Sequence, residues 1–442
     1  MPNVSIIGPL LRGGGRQGAA GERRRRGAAG ERPSGQGTAI HQRPSRPGGL
    51  GPVLVLALGT FSVGTDAFVM AGFLPSTAAD LDISTATAGQ AVTVFAASYA
   101  LLSPLLATAT ARAPRRALLV TALLVLGLAN LGSALAPDFA LLMASRIAAA
   151  AGAAAFTPNA GAVAATLVHP ERRARALAVV IGGLTIATAL GVPLGDLAGH
   201  WLGWRSALAL VAGLCLMTTI GVALLLPTLP ANPTVPLRAR LAVLGNPAVR
   251  AILPLTVLGM AAAYTVYAYS VPALSAVGIS PSATVWVLAL YGVGAVAGNL
   301  AAGYATDRWG SIRVLTAGYL TMAAGLGVLG AMAATHITSP ALVGPLAMAW
   351  GAGSWCQTPP QQHRLIAVAP QEAPLVVALN SSAIYVGIGA GTLLGGLTVP
   401  SGTTTMYATA TALAVLALAY LLITADRAPG NRSRGKEVEA SA

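Results

Sequence analysis

The sequence predicts an all-α membrane protein of twelve transmembrane helices, arranged as two pseudo-symmetric bundles of six. Three observations carry this reading. Only 9% of the 442 residues are charged and 55% are hydrophobic, too few charges to cover the core of a soluble domain of this size. Apolar stretches of about 20 residues, the length needed to cross a bilayer, recur along nearly the whole chain. Arginines collect in alternate loops between those stretches, as the positive-inside rule requires.

The first element is a tail. Residues 1–50 carry nine arginines (Arg12, Arg16, Arg23 to Arg26, Arg32, Arg43 and Arg46) against Glu22 and Glu31. No folded reader of bases accompanies them, so nucleic acid is not expected as a partner. A disordered cytoplasmic extension beside anionic lipid is the plainer reading. No signal peptide is recognisable, because the chain stays polar well beyond Arg26; the first span itself is expected to direct insertion.

Spans are expected at 53–75, 88–109, 115–136, 139–167, 175–199, 205–227, 251–276, 283–304, 313–334, 340–362, 374–397 and 404–424. Loops after even-numbered spans carry Arg112, Arg115, Arg116, Arg172, Arg173, Arg175, Arg238, Arg240, Arg250, Arg308, Arg313 and Arg364. Among basic residues the other loops hold Arg205, His200 and His336. Both termini are therefore expected in the cytoplasm. The sequence divides into the tail, a first bundle over 51–227, a Pro- and Arg-rich cytoplasmic loop over 228–250, a second bundle over 251–425 and a disordered tail over 426–442. Val168, Pro170, Gly191 and Gly195 recur two hundred residues later as Val368, Pro370, Gly391 and Gly395, which suggests a duplicated half. Two such halves with a site between them suit alternating access. Heavy use of Ala, Gly, Arg and Pro points to a GC-rich bacterial genome, and so to a bacterial cytoplasmic membrane.

Three segments carry a family resemblance. The loop after the eighth span reads Gly303-Tyr304-Ala305-Thr306-Asp307-Arg308-Trp309-Gly310. This GxxxDRxG pattern resembles the signature loop of the major facilitator superfamily, as does the twelve-span layout. The equivalent loop of the first half keeps Arg112, Arg115 and Arg116 but has Ala111 where the signature has Asp, and lacks both glycines. Asp307 with Arg308 would then carry the gating pair alone. In the fifth span Gly183 and the run Gly191-Val192-Pro193-Leu194-Gly195 resemble the antiporter motif of the exporter branch; plain helix packing by glycines is the structural alternative. The first span, Gly64-Thr65-Asp66-Ala67-Phe68, is similar to that of bacterial drug:proton antiporters of the chloramphenicol-efflux and arabinose-efflux-like branch. Those often carry Glu one position later. The resemblance covers residues 51–425.

Asp66 and Asp196 are the acids that fall inside predicted spans, and a carboxyl at membrane depth is a functional candidate by default. Asp66 lies about thirteen residues into its span, roughly 20 Å from the cytoplasmic end. Such a group can take a proton from outside and release it inside. Asp196 lies nearer the outer face, where Arg205 is a possible partner. Arg146, in the fourth span, can pair with Asp66 or Asp196, and the family often places an arginine there. Candidate substrate contacts are Tyr264, Tyr267, Trp355, Gln357, Asn380 and Tyr385, a set suited to an amphipathic, mostly apolar ligand. The run Gln361-Gln362-His363-Arg364 reads as a solvated helix end. Cys215 and Cys356 match neither a disulfide framework nor metal-ligand spacing.

No phosphate-binding GxxxxGK[ST] loop exists and Lys436 is the only lysine, which excludes ATP-driven transport by this chain alone. No catalytic His cluster or Gly-x-Ser-x-Gly elbow occurs, so neither an enzyme nor a cofactor or metal is expected. The resulting expectation is a monomeric, proton-coupled antiporter that exports a small lipophilic or amphipathic compound, such as a drug or antibiotic. Its partners would be that compound, protons and the bilayer. An exporter of a sugar or other polar metabolite is the first alternative. A membrane sensor or membrane-embedded enzyme is the second.

Overall fold

The computed structural model describes residues 50–169, 172–229, 238 and 242–425. The first bundle comprises α1 (Leu50–Asp80), α2 (Thr85–Ala109), α3 (Arg115–Ala134), α4 (Phe139–Thr166), α5 (Arg173–Ile186), a π-helical turn at Ala187–Gly191, α6 (Val192–Leu202) and α7 (Trp204–Leu225). The second comprises α8 (Pro247–Tyr267), α9 (Ser270–Ser275), α10 (Pro281–Trp309), α11 (Ser311–Thr335), α12 (Pro340–Trp355), α13 (Thr358–Val368), α14 (Ala373–Thr398) and α15 (Thr403–Ala425). Among the described residues eleven helical stretches are long and apolar enough to cross a membrane. The tenth span completes the set in two pieces, α12 and α13.

That break differs from the single span expected over 340–362. Pro359 and Pro360 follow it directly, and neither can donate a backbone N–H to the carbonyl four residues earlier. Two consecutive losses end the helix near Trp355, and a second helix starts with the prolines in its first turn. The fifth span is likewise not one helix. Pro193 withholds the N–H that Ala189 would receive, and the chain widens into the π turn immediately before it. The seventh span ends early at Tyr267 and resumes as α9, where Pro272 leaves the Ala268 carbonyl without its helical donor. Helix α1 is non-helical at Phe73 (φ −125°, ψ 20°), two residues before Pro75.

Helix starts are capped where the sequence offers a short polar side chain. Ser84, Asp138 and Asn246 accept from the backbone N–H of Thr87, Leu141 and Ala248 at 3.0, 2.8 and 2.9 Å. Three tight joints instead use glycine with positive φ: Gly203 (85°), Gly310 (84°) and Gly402 (98°). They precede the sixth, ninth and twelfth spans.

The packing repeats between halves. In the first bundle α1 packs on α5 and α7, α3 on α4 and α7, and α2 on α4. In the second, α8 packs on α14 and α15, α11 on α12 and α15, and α10 on α12. Each pair of the first set is the counterpart of one in the second under exchange of halves. Between bundles α2 meets α14, and α10 meets α5, the π turn and α6. These two seams exchange with each other in the same way. Outward faces carry bare leucines and tryptophans such as Leu101, Leu224 and Trp286, as a lipid-facing surface does.

Candidate functional site

The interior holds one ion pair at membrane depth among the described residues. Arg146 Nη1 of α4 donates to Asp66 Oδ1 of α1 at 2.6 Å, and both side chains are 0% exposed. Arg146 Nη2 also donates to the Asp66 carbonyl at 3.3 Å. The guanidinium lies over the Phe95 ring of α2, 4.6 Å from its centroid. Asp66 Oδ2 and Arg146 Nε have no hydrogen-bond partner. Two ions removed from water are costly, and their mutual attraction offsets that cost only at such short range. A glycine lets α4 lie close to α1: a β-carbon on Gly59 would collide with the Phe156 ring of α4.

From this pair an aromatic wall runs into the second bundle. Phe95 approaches Tyr385 of α14 (6.3 Å), and Tyr99 stacks on the same ring at 3.7 Å. Phe68, two residues past Asp66, lies 5.9 Å from Tyr264 and 6.0 Å from Trp355. The wall continues from Tyr264 to Tyr267 (5.0 Å), from Tyr267 to Tyr291 (4.8 Å) and from Tyr291 to Trp350 (4.7 Å). Tyr264, Tyr267, Trp355 and Tyr385 were expected from sequence to face a ligand. Phe68, Phe95, Tyr99 and Tyr291 were not, although the four-residue spacing of Phe95 and Tyr99 marks one helical face.

Gln357 and Asn380 sit differently from the rings. Gln357 Nε2 donates to the Ser354 carbonyl (2.8 Å) and its Oε1 accepts from Tyr319 (3.0 Å). Asn380 Oδ1 accepts from Thr256 (2.8 Å), and Gln361 Nε2 donates to Thr256 Oγ1 (3.0 Å). Arg364 donates to Gln361 Oε1 at 3.0 Å. Both residues thus tie α8, α11, α13 and α14 together inside the second bundle. The solvated helix end expected at Gln361 to Arg364 is corrected at its first residue, which is fully buried in this polar thread.

The glycines of the fifth span lie along the helix that carries Asp66. A β-carbon on Gly183 would collide with the Ala57 carbonyl and Thr60, one on Gly191 with Thr65, and one on Gly195 with Val69. Gly391 and Gly395 face Ala261 and Thr265 of α8 in the same manner. Pro193 follows the π turn directly. The side chain of Asp196 lies outside the described residues. Arg205, its possible partner, forms an ion pair with Asp80, covers the Trp204 ring and donates to the Ala136 carbonyl at 2.7 Å.

Of the loop residues, Arg115 is buried and donates to Asn159 at 2.7 Å, and Arg116 donates to the Ala223 carbonyl. Arg112, Asp307 and Arg308 are exposed, and none takes part in an ion pair among the described residues. Gly303 is helical, whereas Gly310 forms the joint to α11. Both cysteines are buried and free.

The chain matches the Major Facilitator Superfamily over residues 56–274 and 252–441. It is 32% identical over 374 residues to the inner membrane transport protein YdhP of Escherichia coli (strain K12), covering 84% of this chain and 95% of that one. To the chloramphenicol resistance protein of Streptomyces lividans it is 35% identical over 264 residues, 58% of this chain and 67% of that one. Its fold resembles the partially occluded inward-open xylose transporter XylE from E. coli, with a TM-score of 0.68 at 17% identity over 84% and 97% of the two chains. The repeated helix packing, the sequence match across both halves and the likeness to whole transporters agree: the chain belongs to the major facilitator superfamily of secondary membrane transporters.

Proposed function

We propose that this transporter is a proton-coupled antiporter that exports a small lipophilic or amphipathic compound, such as an antibiotic, across the bacterial cytoplasmic membrane. The observation that carries the reading is the fully buried Asp66–Arg146 pair beside an aromatic wall built by both bundles. In this reading Asp66 takes a proton when the site faces outward and surrenders it inward, and Arg146 holds the carboxylate form between those events. The glycine face of Gly183, Gly191 and Gly195 keeps the fifth span against the helix carrying the carboxyl. The arginine-rich loops lie in the cytoplasm with both termini, and Asp307, Arg308, Gly310 and Arg112 to Arg116 belong to the hinge between spans there. The relative named for chloramphenicol resistance supports a drug as cargo. The paucity of amide and charged groups facing the aromatic wall disfavours a sugar.

The test is expression in a drug-sensitive host that lacks its main pumps, with a compound panel, with and without an uncoupler. Wild type is expected to confer uncoupler-sensitive resistance, and Asp66→Asn to return resistance to the empty-vector level at equal expression. Uncoupler-sensitive export that survives in Asp66→Asn would remove Asp66 from the coupling role.

A further inference from the structure

We infer that the compound carried is uncharged and aromatic and bears a hydrogen-bond acceptor, and that Arg146 enforces its neutrality by cancelling the charge of Asp66. The inference rests on the antiport reading above and specifies its cargo. It starts from a charge count. The carboxylate that would attract a lipophilic cation is held at 2.6 Å by a guanidinium equally buried, so the pair presents no net charge to the rings beside it. Among the described residues the Cys215 thiol of α7 and the Tyr385 phenol of α14 also feel Asp66, and both are uncharged near neutral pH. The Asp196 side chain lies outside the described residues. A cation entering this site leaves its hydration shell and meets no unpaired counter-ion among the described residues, a cost that ring faces offset only in part.

The rings of Phe68, Tyr264 and Trp355 are buried against one another at tilted and edge angles and Tyr385 stacks on Tyr99, so a flat apolar body would take the place of these ring contacts when the cluster parts. Trp350 Nε1, in a side chain 1% exposed, has no partner. An indole N–H can only donate, so an occupant that satisfies it brings an acceptor oxygen or nitrogen.

The same count explains how an uncharged cargo can be coupled to a proton. Protonating Asp66 leaves Arg146 a buried, unpaired cation, which is tolerable only with water in the site. A bulky apolar occupant removes that water and restores the advantage of the closed pair. Proton and cargo therefore exclude each other without sharing a single ligand atom.

The test measures binding to the purified full-length protein by quenching of tryptophan fluorescence. The uncharged probes are chloramphenicol, florfenicol and coumarin; the cationic probes are tetraphenylphosphonium and ethidium. Wild type is expected to bind at least one uncharged probe at least about tenfold more tightly than either cation. Arg146→Gln leaves a bare carboxylate and is expected to improve binding of the cations at least about tenfold. A wild type that binds a cation equally well, or no uncharged probe at all, overturns the inference, as does a folded Arg146→Gln protein with no gain for cations. Where Arg146→Gln cannot be purified, the wild-type comparison decides alone. Export of a cation that stops with uncoupler and with Asp66→Asn would sink this inference and leave the antiport reading standing. Preference for uncharged probes together with uncoupler-insensitive export would do the reverse.

Discussion

Arg146 and Asp66 each sit in a helix that is otherwise nearly free of charge, and that rarity is what made both legible in the sequence. Their partnership was not legible, because Asp196 offered an equal claim on the arginine and eighty residues separate the pair. Removing one member leaves the other charged and buried. Arg146→Met is therefore expected to destabilise the fold by about 3–5 kcal/mol. The drop in the midpoint of thermal unfolding in detergent measures this. Replacing both, as Asp66→Leu with Arg146→Met, is expected to recover most of the loss, because neither charge then remains to be solvated. An Arg146→Met protein that melts with the wild type would mean that the carboxyl is not charged when buried. The aromatic wall was half legible: tyrosines and tryptophans of the seventh, tenth and eleventh spans stand out in the sequence, whereas phenylalanines in an apolar helix look like any lipid-facing residue until the neighbouring helices are placed.

At the scale of elements, spans were legible and their interruptions were not. Pro104, Pro158, Pro254 and Pro345 lie inside helices that continue through them. The adjacent Pro359 and Pro360 end one, and the single prolines Pro193 and Pro272 interrupt two more, so proline content alone does not tell which spans break. The repeat of glycines was legible as a spacing, and its meaning emerges from packing: Gly191 and Gly195 do for α1 what Gly391 and Gly395 do for α8. The two glycines of the signature loop look alike in sequence and differ in structure. Gly303 is helical with open space where a β-carbon would go, and Gly310 has φ 84° and ψ 154°. Gly310→Ala is accordingly expected to cost about 1–3 kcal/mol, because that backbone region is nearly closed to other residues. Gly303→Ala is expected to gain about 0.5–1 kcal/mol from helix propensity. Unfolding midpoints of the two variants check both signs, and equal shifts would contradict the distinction.

For the molecule as a whole, the fold was legible from hydropathy and loop charge, because lipid leaves helices few alternatives. What the sequence could not say is where the bundles touch. A β-carbon on Gly389 would stand 3.4 Å from the Ala96 β-carbon across the seam between α2 and α14, close to disulfide spacing. Ala96→Cys with Gly389→Cys, placed in a Cys215→Ala, Cys356→Ala background, is expected to cross-link under a copper oxidant and to stop transport until reductant is added. Undiminished transport by the cross-linked protein would show that this seam does not open during turnover.

The matched seams limit how the molecule can move. Exchange of halves turns the contact of α2 with α14 into that of α10 with the fifth span, so rocking one bundle against the other is expected to load both seams. One staple on either flank is therefore expected to arrest the whole cycle.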